Sequence, residues 1–176
     1  MPGLGRVRVV DPSRQHLDEI DAEWPPVRRP TDWHREWRWK DIVAGMVEVF
    51  AVIGPGDKVI GIWRSAKHKP IRLPDGLFYR PDYLEVAPVA RGQEAGVFLF
   101  LLIAARALEL GAQGIVLGTW EVLRNFYREM GGVEGKPRGW NVEANLVPFV
   151  FDTETLEGLR EALERMEDHG QGTTNV

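Results

Sequence analysis

The sequence predicts a mixed α/β domain: an antiparallel meander of strands, then a strand–helix–strand–helix unit, with further helices on the flanks. Three observations carry this. The hydrophobic pattern changes along the chain, from short runs broken by glycine and proline before residue 87 to helix-length apolar runs after residue 92. The chain has 176 residues, of which 44% are hydrophobic and 27% charged, the size and composition of one globular domain. A chain this long buries roughly 70% of its unfolded surface and needs no metal or disulfide staple. It has no cysteine, which excludes disulfide frameworks, cysteine-based zinc sites and thiol nucleophiles.

The elements follow in order. Residues 7–10 form a short strand ended by Asp11-Pro12, and Ser13 caps a helix to about residue 21. The prolines from Pro25 to Pro30 break any helix there, because proline lacks the amide hydrogen and clashes with the preceding turn. Thr31 is placed to cap a second helix to residue 44, with Trp33, Trp37 and Lys40 along one side. Residues 46–53 and 58–67 make a hairpin around Gly54-Pro55-Gly56-Asp57. Residues 70–76 read as a turn and 77–86 as one strand.

A long helix opens at Gly92-Gln93, runs to Leu110 and stops at Gly111. Its uncharged stretch from Ala95 to Ala105 is far short of the ~20 residues a spanning helix needs, so it is a buried core helix. Residues 114–118 are a short apolar strand. Thr119 caps a helix to Met130, with Val122, Phe126 and Met130 on one stripe and Gly131-Gly132 as its stop. A last strand covers 146–151, and Asp152 caps a helix whose Leu156, Leu159, Leu163 and Met166 form a narrow seam. Residues 1–168 are read as a single domain and 169–176 as a disordered polar tail.

The net charge of -4 argues against a broad basic surface for nucleic acid. No apolar run suits a signal peptide or a membrane span, so the expectation is a soluble, cytoplasmic protein. His16, His68 and His169 are too scattered to suggest a metal site, and His34 reads as a base or as a structural histidine.

The segment richest in chemistry is Tyr83-Leu84-Glu85-Val86-Ala87-Pro88-Val89-Ala90-Arg91-Gly92-Gln93-Glu94-Ala95-Gly96. A strand ends at a proline, a loop with arginine and glycine follows, and a helix begins at once. The first turn of a helix leaves amide groups unpaired and its dipole favours negative charge, so such a junction can hold an anion. Taken alone it is also an ordinary β–α turn with a solvated arginine.

This segment resembles the cofactor motif of the GNAT-type N-acetyltransferases, in which a V-x-P strand leads into R/Q-x-x-G-x-G/A. Val86, Pro88, Arg91 and Gly96 match in register, and the family's first glycine falls on Glu94. A second register, Gln93-x-x-Gly96, places Phe98 at the small position and is the poorer match. Further on, Leu123-Arg124-Asn125-Phe126-Tyr127-Arg128-Glu129-Met130-Gly131 is similar to the family's A-x-x-F-Y-x-x-x-G-F helix, with Gly132 where the phenylalanine usually stands.

The resemblance implies a GNAT-like mixed, mostly antiparallel sheet flanked by helices, and an enzyme that transfers an acetyl or related acyl group from acetyl-CoA to an amine by direct attack. It implies that the strands before and after the long helix part to admit the pantetheine arm. Cofactor contacts fall on Leu84, Val86, Val89, Arg91, Gly92, Gln93, Glu94, Ala95, Gly96 and Phe126. An amide near Val86 would steady the oxyanion. Tyr127 would protonate the leaving thiolate and Glu85 would take the amine's proton.

The acceptor is a small-molecule or protein amine. Trp33, Trp37 and Trp39, with Asp32 and His34, read either as its aromatic wall or as helix-packing residues. Arg28, Arg29, Arg35 and Arg38 read as a site for an acidic acceptor or as a solvated face. The last helix's seam should dock on the domain itself or on a second copy, and the resemblance, whose members often dimerise, makes a homodimer one expectation. The alternative to an enzyme is a non-catalytic CoA-binding or protein-interaction module on the same fold.

Overall fold

The computed structural model describes residues 8–11, 13–24, 48–65, 69–92 and 94–171. The expected helix at 31–44, with its tryptophans, His34 and the arginines around it, lies outside the described residues, as do His68 and Gln93. The chain gathers into two compact units, Met1–His68 with Tyr83–Leu99 and Lys69–Asp82 with Phe100–Val176.

In the first unit β1 (Arg8–Val10) pairs antiparallel with β2 (Glu48–Ile53), and β2 with β3 (Val59–Ser65). β6 (Pro81–Val86) lies on the other side of β3, giving the order β1-β2-β3-β6. Both faces of β2 and β3 are covered, which is why these strands read as near-continuous apolar runs rather than an alternation. Helix α1 (Arg14–Glu23) buries Leu17 and Ile20. Its N-terminus is closed as expected by Ser13, whose hydroxyl accepts from the His16 amide at 3.3 Å while His16 Nδ1 accepts from the Ser13 amide at 3.1 Å. Gly61 sits where a Cβ would lie 3.3 Å from Leu99, so a larger residue in β3 would push against that leucine.

In the second unit β4 (Ile71–Leu73) and β5 (Gly76–Tyr79) form a hairpin, β5 runs parallel to β7 (Gly114–Thr119), and β7 is antiparallel to β9 (Val147–Asp152). The two-residue β8 (Val133–Glu134) closes the order β4-β5-β7-β9-β8. Helix α2 (Ala95–Glu109) starts in the first unit and contributes Phe100, Leu101, Ile103, Ala104 and Ala107 to the buried core of the second. Helix α3 (Arg124–Glu129) and helix α4 (Thr153–Gln171) complete it. Leu156 and Leu163 are buried and Leu159 and Met166 half-buried, so the expected seam of α4 is formed. The helix continues to Gln171, past the point where a disordered tail was expected.

Four expectations are corrected. Residues 71–73, read as part of a turn, form β4, and the turn shrinks to Pro74-Asp75. The single strand expected over 77–86 is two: β5 ends at Tyr79 and β6 begins at Pro81, whose missing amide hydrogen suits the first position of a strand. The break at Arg80 lets consecutive residues serve two different sheets. Thr119 is not a helix cap; it is the buried last residue of β7, and a single turn of 3-10 helix, Glu121–Leu123, precedes a short α3. The stripe of Val122, Phe126 and Met130 is not the buried face, since Val122 is 80% exposed and it is Tyr127 that is buried.

Candidate functional site

The loop that joins β6 to α2 is built from local rules. β6 leaves its sheet after Val86: the Ala87 amide still donates to the Ile60 carbonyl at 2.9 Å, and Pro88 then begins a 3-10 turn, Pro88–Ala90. That turn uses up two further amides, Ala90 to the Ala87 carbonyl and Arg91 to the Pro88 carbonyl. The Arg91 amide is thus held within the loop, and it is the Arg91 side chain that remains to meet an anion.

Beyond Arg91 the backbone turns through the left-handed region twice, at Gly92 (φ 76) and Glu94 (φ 61). Glu94 falls on the position where the resemblance places a glycine. An L-residue there carries a cost of order 1–2 kcal/mol that glycine avoids, so the departure is one of residue type and not of backbone shape. The Glu94 side chain is exposed, and its carbonyl accepts the first helical hydrogen bond, from the Phe98 amide at 2.9 Å. The amides of Ala95, Gly96 and Val97 thus precede the ladder of α2 and have no intrahelical partner.

Glu85 and Arg91 are brought together. The carboxylate is 10% exposed in its side chain, with Oε2 shut off from solvent and Oε1 3.5 Å from Arg91 Nη2. Arg91 also donates from Nε to the Val86 carbonyl at 3.2 Å. The guanidinium therefore lies back along the end of β6. Leu84 and Val86 are half-buried and Val89 is exposed.

Phe126 and Tyr127 belong to the second unit. The Tyr127 ring is 6% exposed and sits edge-on to Phe100 at 5.5 Å between centroids, with Phe126, Phe149 and Phe151 around it. Burial pushes its phenol up to about 12, and a hydrogen bond with the Thr119 side chain pulls the other way. The missing phenylalanine at Gly132 has a physical explanation: a Cβ there would lie 2.5 Å from the Phe151 ring and 2.9 Å from Phe149. Two rings from β9 already fill that space.

Sequence reasoning missed Thr119 as the partner of the Tyr127 hydroxyl and missed Arg64, which lies over the Tyr83 ring 5.6 Å from its centroid. Alternation along β6 does set Tyr83 beside Glu85, but nothing local reveals that β3 is the neighbour.

Among solved structures, a GNAT-family acetyltransferase from Staphylococcus aureus matches 84% of this chain and 99% of its own at a TM-score of 0.63 and 15% identity. The fold is GNAT-like. A chimera of the spermidine N-acetyltransferase SpeG from Vibrio cholerae and hSSAT matches 87% of this chain and 99% of its own, with a TM-score of 0.65 and 13% identity. The PaiA N-acetyltransferase of Thermoplasma acidophilum, solved in complex with coenzyme A, matches at a TM-score of 0.60 and 10% identity, over 84% of this chain and 99% of that one. No protein-family model and no curated protein matches the sequence. At these identities the likeness is one of GNAT architecture. Among the described residues, no helix is long and apolar enough to cross a membrane.

Proposed function

We propose that the chain is an acyltransferase that moves an acetyl or related acyl group from acyl-CoA to an amine by direct attack. The observation that carries this reading is the left-handed backbone at Gly92 and Glu94, set just before the unladdered amides of Ala95, Gly96 and Val97 in a GNAT-like fold. The residues present fit the diphosphate end of CoA: a Cβ on Gly92 would meet nothing within 4 Å, so the turn is open, and the helix N-terminus favours negative charge.

Acyl-CoA, when bound, supplies a thioester carbon open to attack and a thiolate that leaves. Backbone groups of Leu84, Val86 and Val89 hold the pantetheine arm in the manner of an added strand. Gly92, Glu94, Ala95 and Gly96 face the diphosphate, with Gln93 assigned to the same loop by its place in the sequence and Arg91 supplying positive charge. Glu85 attracts the acceptor's ammonium and accepts its proton, which frees the lone pair for attack. Tyr127, held protonated across the neutral range, is assigned as the donor to the departing sulfur, and Phe126 packs on its ring. A phenol near 12 is a weaker acid than an ordinary thiol, so its part is to donate a hydrogen bond as charge grows.

The test is to take the native mass of the purified protein and then to follow thiol release with acetyl-CoA and a panel of amines. Retained or titratable CoA together with release supports the reading; no CoA binding removes it. The engagement of Arg91 with Glu85 and the Val86 carbonyl favours a second reading, a non-catalytic CoA-binding module, which predicts CoA binding without turnover.

A further inference from the structure

On β6, Tyr83 and Glu85 are two residues apart and so project from the same face, roughly 7 Å apart along the strand. Arg64 on the neighbouring β3 comes to that face too, since its guanidinium lies over the Tyr83 ring at 5.6 Å, within cation–π range. Ile62 on that side of β3, and Val49, directly opposite Arg64 on β2, are buried beneath the covering of the sheet, which leaves Arg64, Tyr83 and Glu85 as the half-buried polar groups of this face. Leu84 and Val86 point the other way. Arg80 is paired with Asp82 at 2.9 Å and Arg91 with Glu85, whereas Arg64, half-buried, makes no ion pair or hydrogen bond among the described residues. A cation, an aromatic ring and a carboxylate thus follow one another on one face of the sheet.

From this arrangement we infer that the acceptor is a small amine that also carries an anionic oxygen group, its ammonium drawn to Glu85 and its carboxylate or phosphate to Arg64, with Tyr83 as the platform between. Arginine suits the second role because its planar fork binds carboxylate or phosphate through paired N–H donors while its face stays stacked on the ring. A polyamine is disfavoured, because a second ammonium would fall beside the Arg64 charge. The inference rests on the acyl-transfer reading and names the substrate class of that same site.

Calorimetric titration of the wild-type chain with glutamate, phosphoethanolamine, spermidine and propylamine tests it, with CoA titrated in parallel on the same preparation. The expected result is that glutamate or phosphoethanolamine binds at least tenfold more tightly than spermidine or propylamine, and which of the two wins identifies the anionic group. Arg64→Gln removes that preference at least tenfold and leaves CoA affinity unchanged, while Arg64→Lys keeps part of it. Spermidine binding as well as the acids, or a preference that survives Arg64→Gln, overturns the inference, as does a wild-type chain that takes CoA and none of the acid-bearing amines. Failure to bind CoA counts against the acyl-transfer reading itself, so the two failures are distinct.

Discussion

Arg91 reaches back over the end of the preceding strand β6, its Nη2 3.5 Å from Oε1 of Glu85 and its Nε donating to the Val86 carbonyl at 3.2 Å. Arg91 and Glu85 are therefore one electrostatic unit. On the proposed acyl-transfer reading, an incoming diphosphate would compete with Glu85 for the same guanidinium, which would couple anion binding to the freedom of the carboxylate.

Arg91→Gln should weaken binding of inorganic pyrophosphate several-fold, read by calorimetry. Thermal stability should fall as well: the guanidinium is 42% exposed but its partner carboxylate only 10%, and removing the cation leaves a nearly buried charge without it. Unaltered pyrophosphate affinity would remove Arg91 from anion recognition.

Glu94→Gly should stabilise the fold. The wild-type residue holds φ at 61, which costs a side-chain-bearing residue about 1 kcal/mol or more, while glycine returns part of that gain through its looser unfolded chain. The net gain expected in chemical denaturation is below about 1 kcal/mol. CoA affinity should rise as well, because a carboxylate leaves the loop. A less stable variant would mean that the Glu94 side chain has a role beyond its backbone.

The Arg124 guanidinium grips Glu134 through two hydrogen bonds, at 2.7 and 2.6 Å, and also reaches Glu121, while Arg128 pairs with the same Glu134. The Arg124 hydrogen bond, ahead of all else, holds the Glu134 carboxyl down at about 2. A carboxylate held below its unfolded value stabilises the fold fully above that value, near 4.5, and loses the contribution as pH falls toward 2. Glu134→Gln should therefore melt below wild type at pH 6, and the two melting curves should converge between pH 4.5 and 2. A gap that stays constant across that window would place the value of Glu134 in packing rather than in charge.

Much of this could be read from the residues, and the failures share a cause. Ser13, Gly111 and Asp152 act locally, through caps and a left-handed glycine, and all three stand where the sequence places them: Asp152 accepts from the Thr155 amide at 2.9 Å and Gly111 has φ 72. β4 was hidden because Ile71–Leu73 has only three residues and takes its order from pairing with β5. Thr119 looks like a cap in sequence, yet its hydroxyl is used by Tyr127, eight positions on, in a buried contact that no local rule describes. Gly132 read as a defect in a motif, and only the three-dimensional neighbourhood shows Phe149 and Phe151 in the vacated volume. Gly132→Ala should accordingly cost about 1–3 kcal/mol by overpacking, measured by denaturation.

Tyr127 is the residue for which structural and chemical roles must be separated. Its ring is locked among Phe100, Phe126, Phe149 and Phe151, contacts that Tyr127→Phe preserves. What is lost is one hydroxyl and its bond with Thr119, for which the expected loss of stability is about 1 kcal/mol. Burial raises the phenol from 10.0 to about 12, so its neutral form is favoured by the fold; that contribution is whole below pH 10 and fades as pH rises toward 12. The stability gap between wild type and Tyr127→Phe should hold steady to pH 10 and narrow above it. If the hydroxyl also serves the departing sulfur, kcat at pH 7.5 falls by much more than the ~tenfold that a 1.4 kcal/mol disturbance would produce, while CoA affinity stays put. A variant that loses stability on this schedule yet turns over at the wild-type rate would leave Tyr127 as a packing residue and move the proton donor elsewhere.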